Sequence, residues 1–184
     1  MTDTQPNHPE RRERVIRWDD PFAALSEARR RGLSGIEFLR AIRAGDLPRP
    51  PIFALMGMTL EAVDEGRVVF TVEPAEYHYN PIGVVHGGLA ATLLDSAIGC
   101  AVQTLAPAGV AYTTVELKIN YVRPLRSGMG VVAGEGTVLH FGRQIALAEA
   151  RLIGPDGKLY AHATSTCLIL RPDAPSGRVS GEAR

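Results

Sequence analysis

Between Gly88 and Leu105 nearly every position is apolar or small, and Asp95 is the only formally charged residue. That pattern predicts a helix apolar on almost every face, which is normally buried. The small residues Ala90, Ala91, Ala97, Gly99 and Ala101 suit a helix gripped closely by a curved sheet. Its end falls near Ala106-Pro107-Ala108-Gly109. Elsewhere the period drops to two. Arg67–Glu73 alternates Val68, Phe70 and Val72 and reads as a strand. Four strand-like runs follow the helix: Ala111–Val122, Met129–Leu139, Gln144–Ile153 and Leu159–Leu170. Short turns join them, Gly154-Pro155-Asp156-Gly157 being the clearest hairpin signal. One long helix followed by hairpin-linked strands predicts an α+β fold, with an antiparallel sheet curling around a long buried helix.

The first fifty residues read differently. Asp20-Pro21 supplies an N-cap and an N1 proline for a short helix through about Arg31. Ser34-Gly35-Ile36-Glu37 is a capping box opening a second, with Ile36, Leu39 and Ile42 on one face. Arg29, Arg30 and Arg31 suit a solvated helix C-terminus better than a phosphate site. Pro48, Pro50 and Pro51 mark a linker, and residues 52–60 read as a short apolar helix. Residues 1–17 are polar and Arg-rich, with disorder expected in the first ten or so. The expected division is an N-terminal extension over 1–50, a main domain over 51–171 and a flexible tail over 172–184.

Composition narrows the function classes. A chain of 184 residues, 45% hydrophobic and 22% charged, suits one globular domain with a real core. Zero formal net charge argues against nucleic acid as a partner, and ten Arg against eight acidic residues in 1–50 is too balanced for a DNA clamp. No apolar run approaches the roughly 20 residues of a membrane span. The start Met1-Thr2-Asp3-Thr4-Gln5-Pro6 lacks a secretory signal pattern, so a cytoplasmic location is expected. Cys100 and Cys167 sit in apolar stretches and read as buried free thiols. Neither they nor His140 and His162 show metal-ligand spacing, so no metal is expected.

Candidate chemistry gathers where the long helix begins, in Asn80…His86-Gly87-Gly88…Asp95. Two glycines leave the helix N-terminus open, so backbone N–H groups can face an anion or a carbonyl oxygen. An ionised carboxylate on an apolar helix is costly unless something uses it. A donor pocket and a base on one short element suggest acyl transfer.

The pattern Asn80…His86-Gly87-Gly88…Asp95-Ser-Ala-Ile-Gly99, with this order of strands, resembles the hotdog-fold acyl-CoA thioesterases of the PaaI-like branch, over roughly Ile52–Leu170. The resemblance implies hydrolysis of aryl- or short- to medium-chain acyl-CoA to free acid and CoA, with no cofactor. It implies that the Gly87 N–H is the oxyanion donor, with Gly88 beside it at the substrate. Asp95 would serve as nucleophile or as general base on water. Asn80 would place the carbonyl or the water, and His86, also counted among the catalytic residues, would mainly shape the turn with a hydrogen bond to the thioester open to it. Thr113 matches a position whose hydroxyl holds the water, and Thr114 beside it competes for that assignment. The resemblance also implies a homodimer or homotetramer whose site is shared, Asn80 and Gly87 coming from one subunit and Asp95 and Thr113 from the other. CoA phosphates need basic groups. Arg123, Arg126 and Arg143 lie at strand ends or turns, and Arg123 and Arg143 are expected to rim the helix N-terminus. The acyl pocket is expected from Ile52–Leu60, the Tyr77–Tyr79 loop and the partner's helix, the tyrosines favouring aromatic or short branched groups. Two other readings stay open: an acyl-CoA-binding module without catalysis, and a hotdog hydratase or dehydratase.

Overall fold

A computed structural model describes residues 11–172. The disorder expected in the first ten residues, and all but Pro172 of the expected tail, lie outside the described residues. The chain opens with helices α1 (Ala23–Arg31), α2 (Gly35–Ala44) and α3 (Pro51–Met56). Asp20 opens α1 a residue or two ahead of it. Its Oδ1 accepts from the Phe22 N–H at 2.9 Å and its C=O from the Ala23 N–H at 3.1 Å. The capping box of α2 forms as read: Glu37 Oε2 accepts from the Ser34 N–H at 2.8 Å and from its hydroxyl at 2.6 Å.

The helix expected over 52–60 is shorter. It stops at Met56 because Gly57 turns left-handed at φ 69°. Residues Met58–Asp64 then form β1, a strand the apolar run concealed. The remaining strands are β2 (Arg67–Val72), β3 (Ala111–Tyr121), β4 (Val132–Phe141), β5 (Ile145–Ile153) and β6 (Leu159–Leu170). They pair antiparallel in the order β1-β2-β4-β5-β6-β3. Helix α4 (Gly87–Thr104) lies against all six strands, which is the hotdog arrangement.

Close approach of helix and sheet depends on missing side chains. A Cβ at Gly136 of β4 would sit 2.3 Å from the Ala97 carbonyl oxygen, so helix and strand backbones touch there. Leu93, Leu94, Ala97, Ile98, Ala101 and Val102 are fully buried beneath the sheet. Each of the larger ones contributes roughly 1.5–3 kcal/mol by burial. Contrary to the expectation from composition, α4 is not buried all round. Gly88, Ala91, Thr92, Asp95, Ser96, Cys100 and Gln103 form one half-buried stripe facing away from the sheet.

The N-terminal helices join the same core, with Ala24, Ala28, Leu39 and Ile42 buried against it. Gly35 anchors α2 on the C-terminal half of α4. Its N–H donates to the Ala106 carbonyl at 2.9 Å, and a Cβ there would fall 1.8 Å from the Gln103 carbonyl oxygen.

Candidate active site

The N-terminus of α4 is shaped by the loop before it. The Asn80 N–H donates to the Val84 carbonyl at 2.8 Å, and Asn80 Oδ1 accepts from the N–H groups of Ile82 (3.1 Å) and Val84 (3.2 Å). The carboxamide oxygen thus folds the turn, while its N–H₂ donors take no part in it. His86 is the N-cap. Its Nδ1 accepts from the Gly88 N–H at 2.8 Å, which places the proton of the neutral ring on Nε2. The Leu89 N–H donates to the His86 carbonyl at 3.0 Å. Of the first three helix N–H groups, only that of Gly87 makes no hydrogen bond among the described residues. Gly88 is therefore committed to the cap, where a Cβ would lie 2.7 Å from His86 Nδ1. Gly87 is the free donor.

Tyr121, which sequence reasoning missed, packs on that donor. Its hydroxyl donates to the Gly87 carbonyl at 3.3 Å, and a Cβ at Gly87 would lie 3.1 Å from its ring. The only local signal was an aromatic at a strand end.

Asp95 is half-buried on α4, and the Thr114 hydroxyl donates to its Oδ1 at 3.0 Å. Thr113 lies on the exposed face of β3. A β-bulge explains why Thr114 and not its neighbour points inward. Pairing with β6 skips Val115, so Tyr112 and Thr114 share the inner face with Leu117 and Ile119. Counted back from Leu117 and Ile119, unbroken alternation would have turned Val115 and Thr113 inward instead. Burial, with Asp95's charge adding to it, pushes the Cys100 thiol up to about 12. Burial also holds the Tyr112 phenol well above its usual range. Both stay neutral at ordinary pH, so neither presents a thiolate or a phenolate.

Gly87 and Asp95 are eight residues apart on one helix, or about 12 Å. A single thioester carbonyl, reaching about 3 Å to each group, cannot touch both within one chain. Each opens onto its own hollow. One of about 410 Å³ is bordered by His86, Gly87, Tyr121 and Arg123. The other, of about 520 Å³, is bordered by Asp95, Ser96, Cys100 and Tyr112.

The arginines separate. Arg123 lies beside Gly87 and hydrogen-bonds the Leu159 carbonyl. Arg126 sits in the loop after it, with its N–H on Met129 Sδ at 3.3 Å. Arg143 does not rim the N-terminus of its own chain's α4. It occupies the β4–β5 turn, where its carbonyl accepts from Arg171 Nε at 3.1 Å. Strand β6 from Tyr160 to Leu168 separates the two ends, about 26 Å along the strand. An odd number of strand crossings between the two turns puts them at opposite ends of the sheet, which turn composition does not reveal. Tyr77 and Tyr79 are likewise committed. Tyr77 lies under Arg14 at 4.1 Å, and Tyr79 Oη accepts from the Ser127 N–H at 3.2 Å. They border a third hollow beside His86 and Gly88, not the one at Asp95.

A six-stranded antiparallel sheet wrapped on one long helix is the fold of the hotdog thioester hydrolases, and comparison with known proteins puts the chain in that class. The chain belongs to the thioesterase superfamily, whose family model matches residues 82–161. Human acyl-coenzyme A thioesterase 13 is 32% identical over 110 residues, 59% of this chain and 77% of that protein. The Escherichia coli PaaI protein of the phenylacetic acid degradation operon shares the fold, with a TM-score of 0.64 at 21% identity, over 75% of this chain and 96% of that one. A hypothetical thioesterase protein of Streptococcus pneumoniae, solved with coenzyme A, superposes with a TM-score of 0.57 at 26% identity, over 64% of this chain and 88% of that one. Helices α1, α2 and α3 precede the family match altogether.

Proposed function

We propose that the protein hydrolyses acyl-CoA thioesters to a free acid and CoA, at sites shared between two copies of the chain in a homodimer or larger homo-oligomer. The observation that carries the shared site is the separation of Gly87 and Asp95 by about 12 Å on one helix. A second, antiparallel copy of α4 brings one chain's donor to the other's carboxylate. Two surfaces support such pairing: the N-terminal part of the half-buried stripe of α4, at Gly88, Ala91 and Thr92, and the free edge of β3 at the end of the sheet.

In this reading the Gly87 N–H, at the positive end of the α4 dipole, stabilises charge developing on the thioester oxygen. The Asn80 N–H₂ orients the carbonyl or the water. Asp95, held through Oδ1 by Thr114, either takes a proton from water as it attacks or attacks the carbonyl itself. The first route yields acid directly, and the second passes through an anhydride that water opens. The C–S bond breaks, and CoA leaves as a thiolate that takes up a proton. Thr114 is the hydroxyl this reading uses; Thr113, on the exposed face of the edge strand, enters only if a second copy presents the water there. Arg123 beside Gly87 is the stronger candidate for the CoA phosphates; Arg143 serves only if another copy delivers it. The reading places the enzyme in the cytoplasm. No helix among the described residues is long and apolar enough to cross a membrane.

Two measurements test this. A panel of aryl, short- and medium-chain acyl-CoA esters, followed by thiol release without added metal, should show turnover; background rates throughout would favour a binding module. Asn80→Ala and Asp95→Ala, each inactive alone, should recover up to about one-quarter of wild-type activity when refolded together, on random pairing. No recovery in verified mixed dimers would confine the site to one chain.

A further inference from the structure

The hollow at Asp95 is closed by residues from before the family match. One wall is Asp95, Ser96, Cys100 and Gln103 of α4 with Tyr112 of β3. The facing wall is Leu25 of α1, Leu33 between the helices, Phe38 and Ile42 of α2 and Pro50, all within the first fifty residues, with Ile52 of α3 just beyond them. We infer that this N-terminal extension is the acyl-chain wall of the site, and that it selects medium-length aliphatic acyl groups. The inference rests on the reading of Asp95 as the group that acts on the thioester.

If Asp95 acts there, the reacting carbon lies within hydrogen-bond reach of its carboxylate, and the two arms of the substrate leave in different directions. The CoA arm ends in phosphates and needs cations and water. The cavity offers it little, because the extension contributes carbon throughout apart from the exposed Arg29 at the mouth. The acyl arm finds what it needs there. From Asp95 to Gln103 the cavity runs about 12 Å along α4, which an extended medium-length alkyl chain spans. Its volume of about 520 Å³ falls within the usual small-molecule range. Each methylene that enters such a wall improves binding by about fourfold.

The wall is also held in place. Gly35 sets α2 in backbone contact with α4, and Leu39 and Ile42 are buried in the common core. A leader tethered only by its chain would supply no defined surface. Within one chain the Tyr77–Tyr79 loop borders another hollow, and the wall that faces Asp95 is the extension.

The test is the ratio of kcat/KM for octanoyl-CoA to that for acetyl-CoA in the full chain. Leu25→Trp and Leu33→Trp project an indole into the cavity from half-open positions, where refolding strain is small. Each should lower the ratio at least tenfold. Gly35→Val, which displaces α2, should do the same at some cost in stability. Titration of the unhydrolysable thioether S-octyl-CoA supplies a readout independent of turnover: the wild type should bind it at least tenfold tighter than CoA, and Leu33→Trp should erase the difference. If the wild type turns over acyl-CoA but neither tryptophan alters the ratio, the inference falls and the hydrolase reading stands. If no ester turns over yet S-octyl-CoA binds and Leu33→Trp abolishes that preference, the pocket stands and the hydrolase reading falls. If Leu25→Trp changes the oligomeric mass and leaves the ratio intact, a second copy covers the cavity, which overturns the inference.

Discussion

Replacing Thr114 by Val removes one hydroxyl and retains a β-branched side chain on the inner face of β3. The lost contact is the 3.0 Å hydrogen bond to Asp95 Oδ1. A hydrogen bond to a charged acceptor is worth about 1.5–3 kcal/mol. Both partners are half-buried, so water can replace the donor and the low end applies. About 1.5 kcal/mol is roughly tenfold in rate if the bond aims the carboxylate in the transition state. Thr114→Val should therefore lower kcat about tenfold with little change in KM, and the melting temperature should fall by no more than about 3–6 °C. Thr113→Val, altering an exposed side chain on the opposite face, should leave kcat within about twofold. The assay is steady-state thiol release from one good acyl-CoA substrate, with circular dichroism to verify folding. The reverse outcome, Thr113→Val slow and Thr114→Val normal, would refute the reasoning. The useful hydroxyl would then act from the exposed face, across the subunit boundary.

Asp95→Asn keeps an oxygen for Thr114 and should retain fold and ligand binding while kcat falls on the order of 10²–10⁴; near-normal kcat would make the carboxylate structural. Arg123→Ala should raise KM several-fold for acyl-CoA and leave acyl-pantetheine untouched, because remote phosphate contacts bind substrate and transition state alike. An equal effect from Arg143→Ala alone would put the nucleotide at the other end of the sheet. His78, buried between the Ala75 N–H on Nδ1 (3.0 Å) and the Met56 carbonyl at Nε2 (3.1 Å), has its pKa lowered chiefly by burial, and also by Arg14. A depressed histidine pKa means the unfolded chain binds the proton more readily, so stability is full above about pH 6.5 and declines as pH falls below it. Thermal melts from pH 8 to pH 5 should show that decline, and His78→Gln should flatten it.

What the sequence determined by itself was local. The length and composition of Gly88–Leu105, the capping box at Ser34–Glu37 and the turn Gly154–Gly157 are each legible because the energies that form them act within a few residues. The fold class followed, and so did the pairing of a glycine-opened helix end with a single carboxylate. Tertiary structure decided what depends on partners distant in the chain. Met58–Asp64 becomes a strand only because β2 supplies its hydrogen bonds; alone it is an apolar run that also suits a helix. Thr114 meets Asp95 because a bulge opposite β6 shifts the alternation, and a bulge leaves no mark in composition. Gly87 is the free donor because His86 Nδ1 takes the Gly88 N–H, which depends on a side-chain torsion. Arg123 and Arg143 look alike as turn arginines, and strand order alone sends them to opposite ends of the sheet. The apolar face of the extension was visible in Leu39 and Ile42. That the same helices also wall the hollow at Asp95 was settled by Gly35, whose missing Cβ lets α2 rest directly on the backbone of α4.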